Sequence, residues 1–103
     1  MVRVYEHPDP QDIRLECVLF ALSDPIRMGM VRVLAARGPV NSLELAPDMP
    51  KSTVAHHTRI LREAGVTYTQ PEGRVCWIHL RRDLLDKKFT GLLDAILAVK
   101  PSA

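Results

Sequence analysis

Apolar residues return every three or four positions along most of this chain and alternate strictly in one stretch only. That pattern predicts helices throughout, interrupted by a single hairpin. The helical rhythm is plainest in Met49–Gly65, MPKSTVAHHTRILREAG. Val54, Leu61 and Ala64 fall on one side, with Ile60 beside them and Thr58 diluting the stripe. Ser52, His56, Arg59 and Glu63 fall on the other side. Pro50 suits the first helical position, where its missing N–H would be unpaired anyway. Gly65 suits the left-handed residue that closes a helix. A short helix, Asn41–Ala46, precedes it through the tight turn Pro47-Asp48-Met49-Pro50.

The rest of the chain supports this pair. Residues 1–9 read as a loose arm. Asp9-Pro10 starts a helix over Gln11–Ser23, which is apolar on nearly every side (Ile13, Leu15, Cys17, Val18, Leu19, Phe20, Leu22). Such a helix is buried on more than one face, and in a small chain the extra face meets a second subunit. Asp24 caps the next helix, with Pro25 in its first turn. That helix runs through Ile26, Met30, Val31 and Leu34 and stops at Gly38-Pro39. Asn41 caps the short helix. After Gly65 the period changes to two. Val66–Gln70 and Val75–Leu80 are strands joined by Pro71-Glu72-Gly73-Arg74, with Gly73 at positive φ. Cys76, Ile78 and Leu80 share one face of the second strand, and Val75, Trp77 and His79 the other. The last helix, about Asp83–Val99, places Leu85, Phe89, Leu92, Ile96 and Val99 on a stripe that Leu84, Leu93 and Leu97 widen. Its excess apolar surface predicts pairing with the first helix across a two-fold axis.

The expected fold is therefore mostly α with a β-hairpin wing, a winged helix-turn-helix in the order α-α-α-α-β-β-α. It forms one domain over 1–103: arm 1–9, helix-turn-helix 41–65, wing 66–81 and dimerisation helix 83–99. A short helix, a turn and a second helix with small, hydrogen-bonding residues at its exposed start is the layout of a DNA reader.

Composition narrows the class. The chain of 103 residues is 47% hydrophobic and 25% charged, as in one soluble globular domain. No apolar run approaches the ~18–20 residues that cross a membrane, and MVRVYEHPDPQD lacks a signal peptide's apolar stretch, so a cytoplasmic protein is expected. The net charge of +2 is unevenly spread: residues 1–24 carry −3, residues 25–50 carry +1, residues 51–82 carry +4 and residues 83–103 balance. Positive charge on the recognition helix and hairpin is what phosphate binding requires, although a solvated face looks the same.

Each candidate site residue has two readings. Ser52, Thr53 and His56 either face base edges or, for the hydroxyls, satisfy the helix N-terminus. Lys51, Arg59 and the wing-tip Arg74 either grip phosphates or serve solubility, and Arg74 also suits a minor groove. His57 lies nearer the packed face and reads as a structural residue bonded to the preceding helix. Adjacent His56 and His57 point about 100° apart and chelate one ion poorly. Cys17 and Cys76 are too few for a disulfide scaffold and match no C-x-x-C motif. They read as small apolar residues, with a redox switch as the functional alternative and a soft-metal site as a further one. Trp77 either packs on a helix or lines an organic-effector pocket with Met28 and Met30. No cofactor is expected.

With these residues in place, the chain resembles the winged-helix repressors of the ArsR (arsenical-resistance) family over roughly residues 19–80. The landmarks are Leu22-Ser23-Asp24-Pro25-Ile26-Arg27, Val33-Leu34 and Leu45-Ala46. Ser52-Thr53-Val54-Ala55-His56-His57 and Ile60-Leu61-Arg62-Glu63-Ala64-Gly65-Val66 follow, then Glu72-Gly73-Arg74 at the wing tip. The resemblance implies a homodimer joined by its first and last helices, which represses by occupying a double-stranded operator and lets go when an effector binds. The family's metal sites are missing. Asn41–Asp48 holds no cysteine where a Cys-x-Cys segment would stand, and the last helix has Asp83, Asp86 and Asp94 but no histidine. Thr58 stands where leucine is usual, so looser packing is expected there. The effector is then an organic ligand or thiol oxidation. The rivals are a winged helix used for protein–protein contact and a soft-metal sensor using Cys17 and Cys76. An enzyme is the weakest reading, since no Ser-His-Asp order, carboxylate pair or Gly-rich phosphate loop stands out.

Overall fold

A computed structural model of the chain describes residues 4–101; the expected arm's first three residues lie outside them. After a 3-10 turn at Pro10–Asp12 the elements run α1 (Leu15–Ala21), α2 (Pro25–Arg37), β1 (Val40–Asn41), α3 (Ser42–Leu45) and α4 (Lys51–Glu63). Then come β2 (Thr67–Glu72), β3 (Val75–Leu80), α5 (Arg82–Lys88) and α6 (Leu92–Ala98).

The caps at Asp24 and Asn41 act as the sequence predicts. The Asp24 carboxylate accepts from the amides of Ile26 and Arg27 at 2.9 and 3.0 Å, and these bonds hold it below the usual carboxylate range. The Asn41 side chain accepts from the Leu43 amide at 3.0 Å. Gly65 sits at φ 86° and closes α4. Pro50 lies one residue outside the helix, in extended backbone, and its carbonyl accepts from Thr53 and Val54.

Four expected elements are corrected. The first helix is broken, because Ile13 turns extended, with ψ 119°, and drives its side chain into the core at 3% exposure. The last helix is also broken at Phe89–Gly91, where Gly91 takes φ 83° and a new helix starts. The hairpin is tighter than expected. Pro71 and Glu72 belong to β2, Glu72 pairs with Val75, and the loop is Gly73-Arg74. A third strand was unforeseen: Val40 and Asn41 pair antiparallel with Ile78 and Trp77, giving the order β1-β3-β2.

The core lies between the helices and the inner face of this sheet, where Val18, Val31, Leu34, Leu61, Ile78, Leu85 and Leu93 are almost fully buried. Cys76 and Ile78 do share the inward face of β3, as alternation requires. A buried arginine ties the front of the molecule together. Arg27, 6% exposed, donates to the Ala21 carbonyl at 2.6 Å and the Phe20 carbonyl at 3.4 Å, and its third nitrogen lies 3.2 Å from His57 Nδ1. His57 is thus structural, but it bonds α2 rather than the short helix before it.

The segment expected as a loose arm is held at residues 5–8. The Thr69 amide donates to His7 Nε2 at 2.9 Å, Arg81 donates to the Pro8 carbonyl at 3.2 Å, and the Arg62 guanidinium lies 5.0 Å from the Tyr5 ring. Burial, then the charges of Arg81 and Arg62, push the His7 pKa below its ordinary value of about 6.5. A group with a depressed folded pKa stabilises above its unfolded pKa and loses that contribution as pH falls through the folded value. The melting temperature is therefore expected to drop between pH 7 and 5. His7→Ala should flatten part of that slope in thermal denaturation. A slope unchanged by the substitution would remove His7 from this role.

Candidate nucleic-acid interface

Helix α4 divides cleanly by face. Val54, His57, Thr58 and Leu61 are buried, whereas Lys51, Ser52, Ala55, His56, Arg59 and Glu63 are exposed. Thr53 is half-buried, at the edge between the two. The apolar side packs on α1, α2 and α3, so the polar side points away from the body. No side chain caps the start of α4. Its positive dipole end is therefore open to an anion beside Lys51 and Ser52.

Arg59 is not idle in the free protein. Its Nε lies 2.6 Å from Glu63 Oε1, one turn on. The bond and charge of Arg59 hold the Glu63 carboxyl below its usual range. Both groups stand in solvent, where such pairs are weak and salt-screened. A phosphate can take Arg59 from Glu63. Arg74 is exposed at the hairpin tip, away from the α4 cluster in sequence, at the end of a separate element. On the outer side of the hairpin, Tyr68 and His79 stack at 4.3 Å and His79 Nε2 lies 2.9 Å from Gln70 Oε1.

The two thiols are free and lie in different settings. Cys17 is exposed on α1, while Cys76 is buried with its Sγ 3.1 Å from the Tyr5 hydroxyl. Among the described residues no three His, Cys, Asp or Glu side chains converge as a metal site. Met30 is buried in the core, and the cavity beside α4 is walled by α3 and the hairpin rather than by Trp77, Met28 and Met30. Thr58 borders that cavity, its Oγ1 donating to the Ala55 carbonyl at 3.2 Å. Sequence reasoning missed Arg27, Arg62 and Tyr5. An arginine at a helix start and a tyrosine in a polar arm carry no signal of burial or partner until the chain is folded.

A four-residue helix, a turn and a longer helix, followed at once by a hairpin, make a winged helix-turn-helix. The helix-turn-helix domain family matches residues 22–67. The chain is 32% identical over 79 residues to the uncharacterised HTH-type transcriptional regulator YceK of Bacillus subtilis, covering 74% of this chain and 79% of that one. It is 31% identical to the HTH-type transcriptional regulator MJ1325 of Methanocaldococcus jannaschii, over 74% of this chain and 86% of the relative. The crystal structure of an ArsR family transcriptional regulator superposes with TM-score 0.66 at 29% identity, covering 79% of this chain and 90% of that one. A possible regulator for arsenical resistance shares the fold, with TM-score 0.64 over 84% and 88% of the two chains. This chain belongs to the ArsR family of helix-turn-helix transcriptional regulators.

Proposed function

We propose that the protein is a cytoplasmic, non-enzymatic homodimeric repressor that occupies a near-palindromic operator. Helix α4 of each subunit enters a major groove, with the two half-sites about one helical turn, ~34 Å, apart. Ser52, Thr53 and His56 face the bases, while Lys51, Arg59 and the wing's Arg74 hold phosphates. The observation that carries this reading is the exposed, uncapped polar side of α4, backed by a buried apolar side that fixes its direction.

The dimer reading is supported by surface that one subunit leaves open. Leu15, Leu19 and Phe20 on α1 are 42%, 45% and 63% exposed, and Val99 after α6 is 62% exposed. Scattered apolar residues are ordinary on a surface, but three within six positions of one helix form a patch. Cys17 stands on that same exposed helix, so a peroxide that takes two electrons and two protons from the paired Cys17 thiols, leaving them joined across a two-fold axis and itself reduced to water or alcohol, is one route to release; an organic effector is the other.

A mobility-shift assay against duplexes selected from a random pool tests the interface. His56→Ala and Arg59→Ala should each weaken binding about tenfold, with the dimer intact by sedimentation. Affinity should fall steeply with added salt, and Arg59→Ala should reduce that slope by about one. Unchanged affinity in both variants would assign the reading to another surface. A flat salt response with random duplex would favour a winged helix that binds protein instead.

A further inference from the structure

A cavity of about 340 Å³ opens between α3, α4 and the inner face of the hairpin. Its walls are mostly apolar, with Ala46, Met49, Val54 and Ile78 among them and Leu43 at the rim. Two residues of this lining each hold a polar atom with no partner among the described residues: Arg62 Nε and Thr69 Oγ1 are buried and unbonded. Buried polar groups are normally satisfied, so two orphans lining one cavity call for an acceptor. Arg62 also enters none of the ion pairs among the described residues. Its guanidinium lies against the Tyr5 ring, and Tyr5 and Cys76 lie along the same wall.

We propose that this cavity binds a small organic acid. Its carboxylate accepts from the Arg62 guanidinium and the Thr69 hydroxyl, and its hydrocarbon or aromatic body lies against Met49, Val54 and Ile78. The Arg62 guanidinium and the Thr69 hydroxyl match one carboxylate, and the apolar walls suit its hydrocarbon body. The size is that of a small-ligand pocket. The site deepens the repressor reading and rests on it for its consequence. Lys51 and Arg59, assigned above to phosphates, also line the cavity at its exposed side. A bound acid brings negative charge beside both and props α4 against α3, so its binding and operator binding oppose each other. That opposition is reciprocal, because each ligand changes the other's affinity by the same factor.

The test uses hexanoate and benzoate, with hexanamide and benzamide as uncharged counterparts, added to the full chain and followed by amide NMR. The acids should shift the Ala46, Thr69 and Ile78 amides and the Arg62 Nε–H signal. The amides should bind at least tenfold more weakly. Arg62→Gln should lose at least tenfold in acid affinity, Arg62→Lys should keep part of it, and Ala46→Trp should block all four probes. Equal binding of acids and amides, or no shift at Arg62 Nε–H in the unaltered protein at millimolar acid, overturns the site. Duplex affinity is measured first without any acid, so failure to bind DNA sinks the repressor reading separately. Acid binding that leaves duplex affinity unchanged overturns the opposition between the two ligands.

Discussion

Gly65→Ala should lower the stability of the domain by about 3 kcal/mol, read as a shift of the urea midpoint without a change in slope. Two effects add. Gly65 holds φ 86°, a conformation that costs an L side chain roughly 1–2 kcal/mol. A Cβ at this position would also lie 2.5 Å from both Cδ1 and Cγ1 of Ile13. Ile13 is itself buried, so it cannot swing into solvent, and such overpacking costs typically ~1–3 kcal/mol. Gly73→Ala separates the two. Gly73 also has positive φ, 63°, but nothing stands within 4 Å of its would-be Cβ, so only the backbone cost of about 1 kcal/mol should appear. Pairing Gly65→Ala with Ile13→Ala should cost less than the sum of the single changes by more than about 1 kcal/mol, since both alter one contact. Additive behaviour would place the cost of Gly65→Ala wholly in the backbone.

The second large effect belongs to Arg27. Arg27→Met should destabilise by about 3 kcal/mol in the same measurement. The guanidinium donates to α1's final carbonyls, at Ala21 and at Phe20, which it shares with the Ser23 hydroxyl, and it reaches His57 on α4 as well. Hydrogen bonds from charged groups are worth about 1.5–3 kcal/mol, and breaking one side of a buried polar cluster leaves the other side unsatisfied. Arg27→Lys should rescue little, because a point ammonium cannot span three acceptors on three headings. A lysine variant as stable as the native chain would show that charge alone, without the fork, holds α1, α2 and α4 together.

Much of this architecture was legible from the residues. The caps at Asp24 and Asn41, the stop at Gly65 and the alternation of Cys76 and Ile78 are local signals, and local physics decides them. Where tertiary forces win, the reading failed. Ile13 continues a helical pattern perfectly well, but the core beside Gly65 takes its side chain only if the backbone turns extended there. The periodic stripe from Leu85 to Val99 hid Gly91, whose left-handed geometry divides the helix into two. Val40 and Asn41 are too short a run to show a period, so β1 exists only because β3 offers it an edge. In the candidate interface, the exposed side of α4 was readable from helical spacing. The cavity beside it was not, since Tyr5, Arg62, Thr69 and Cys76 are brought together from four separated parts of the chain.

The bond from the Thr69 amide to His7 has one more effect. Strand β2 is the outer member of the sheet on its side, and outer strands invite another molecule to zip onto them. Along β2 the amides at 69 and 71 point the same way, by the two-residue period of a strand. The first is taken by His7, and the second does not exist, because residue 71 is proline. A chain shortened to begin at Asp9 uncovers that border, and it should be more prone to self-association and fibril growth on storage than the chain that keeps His7.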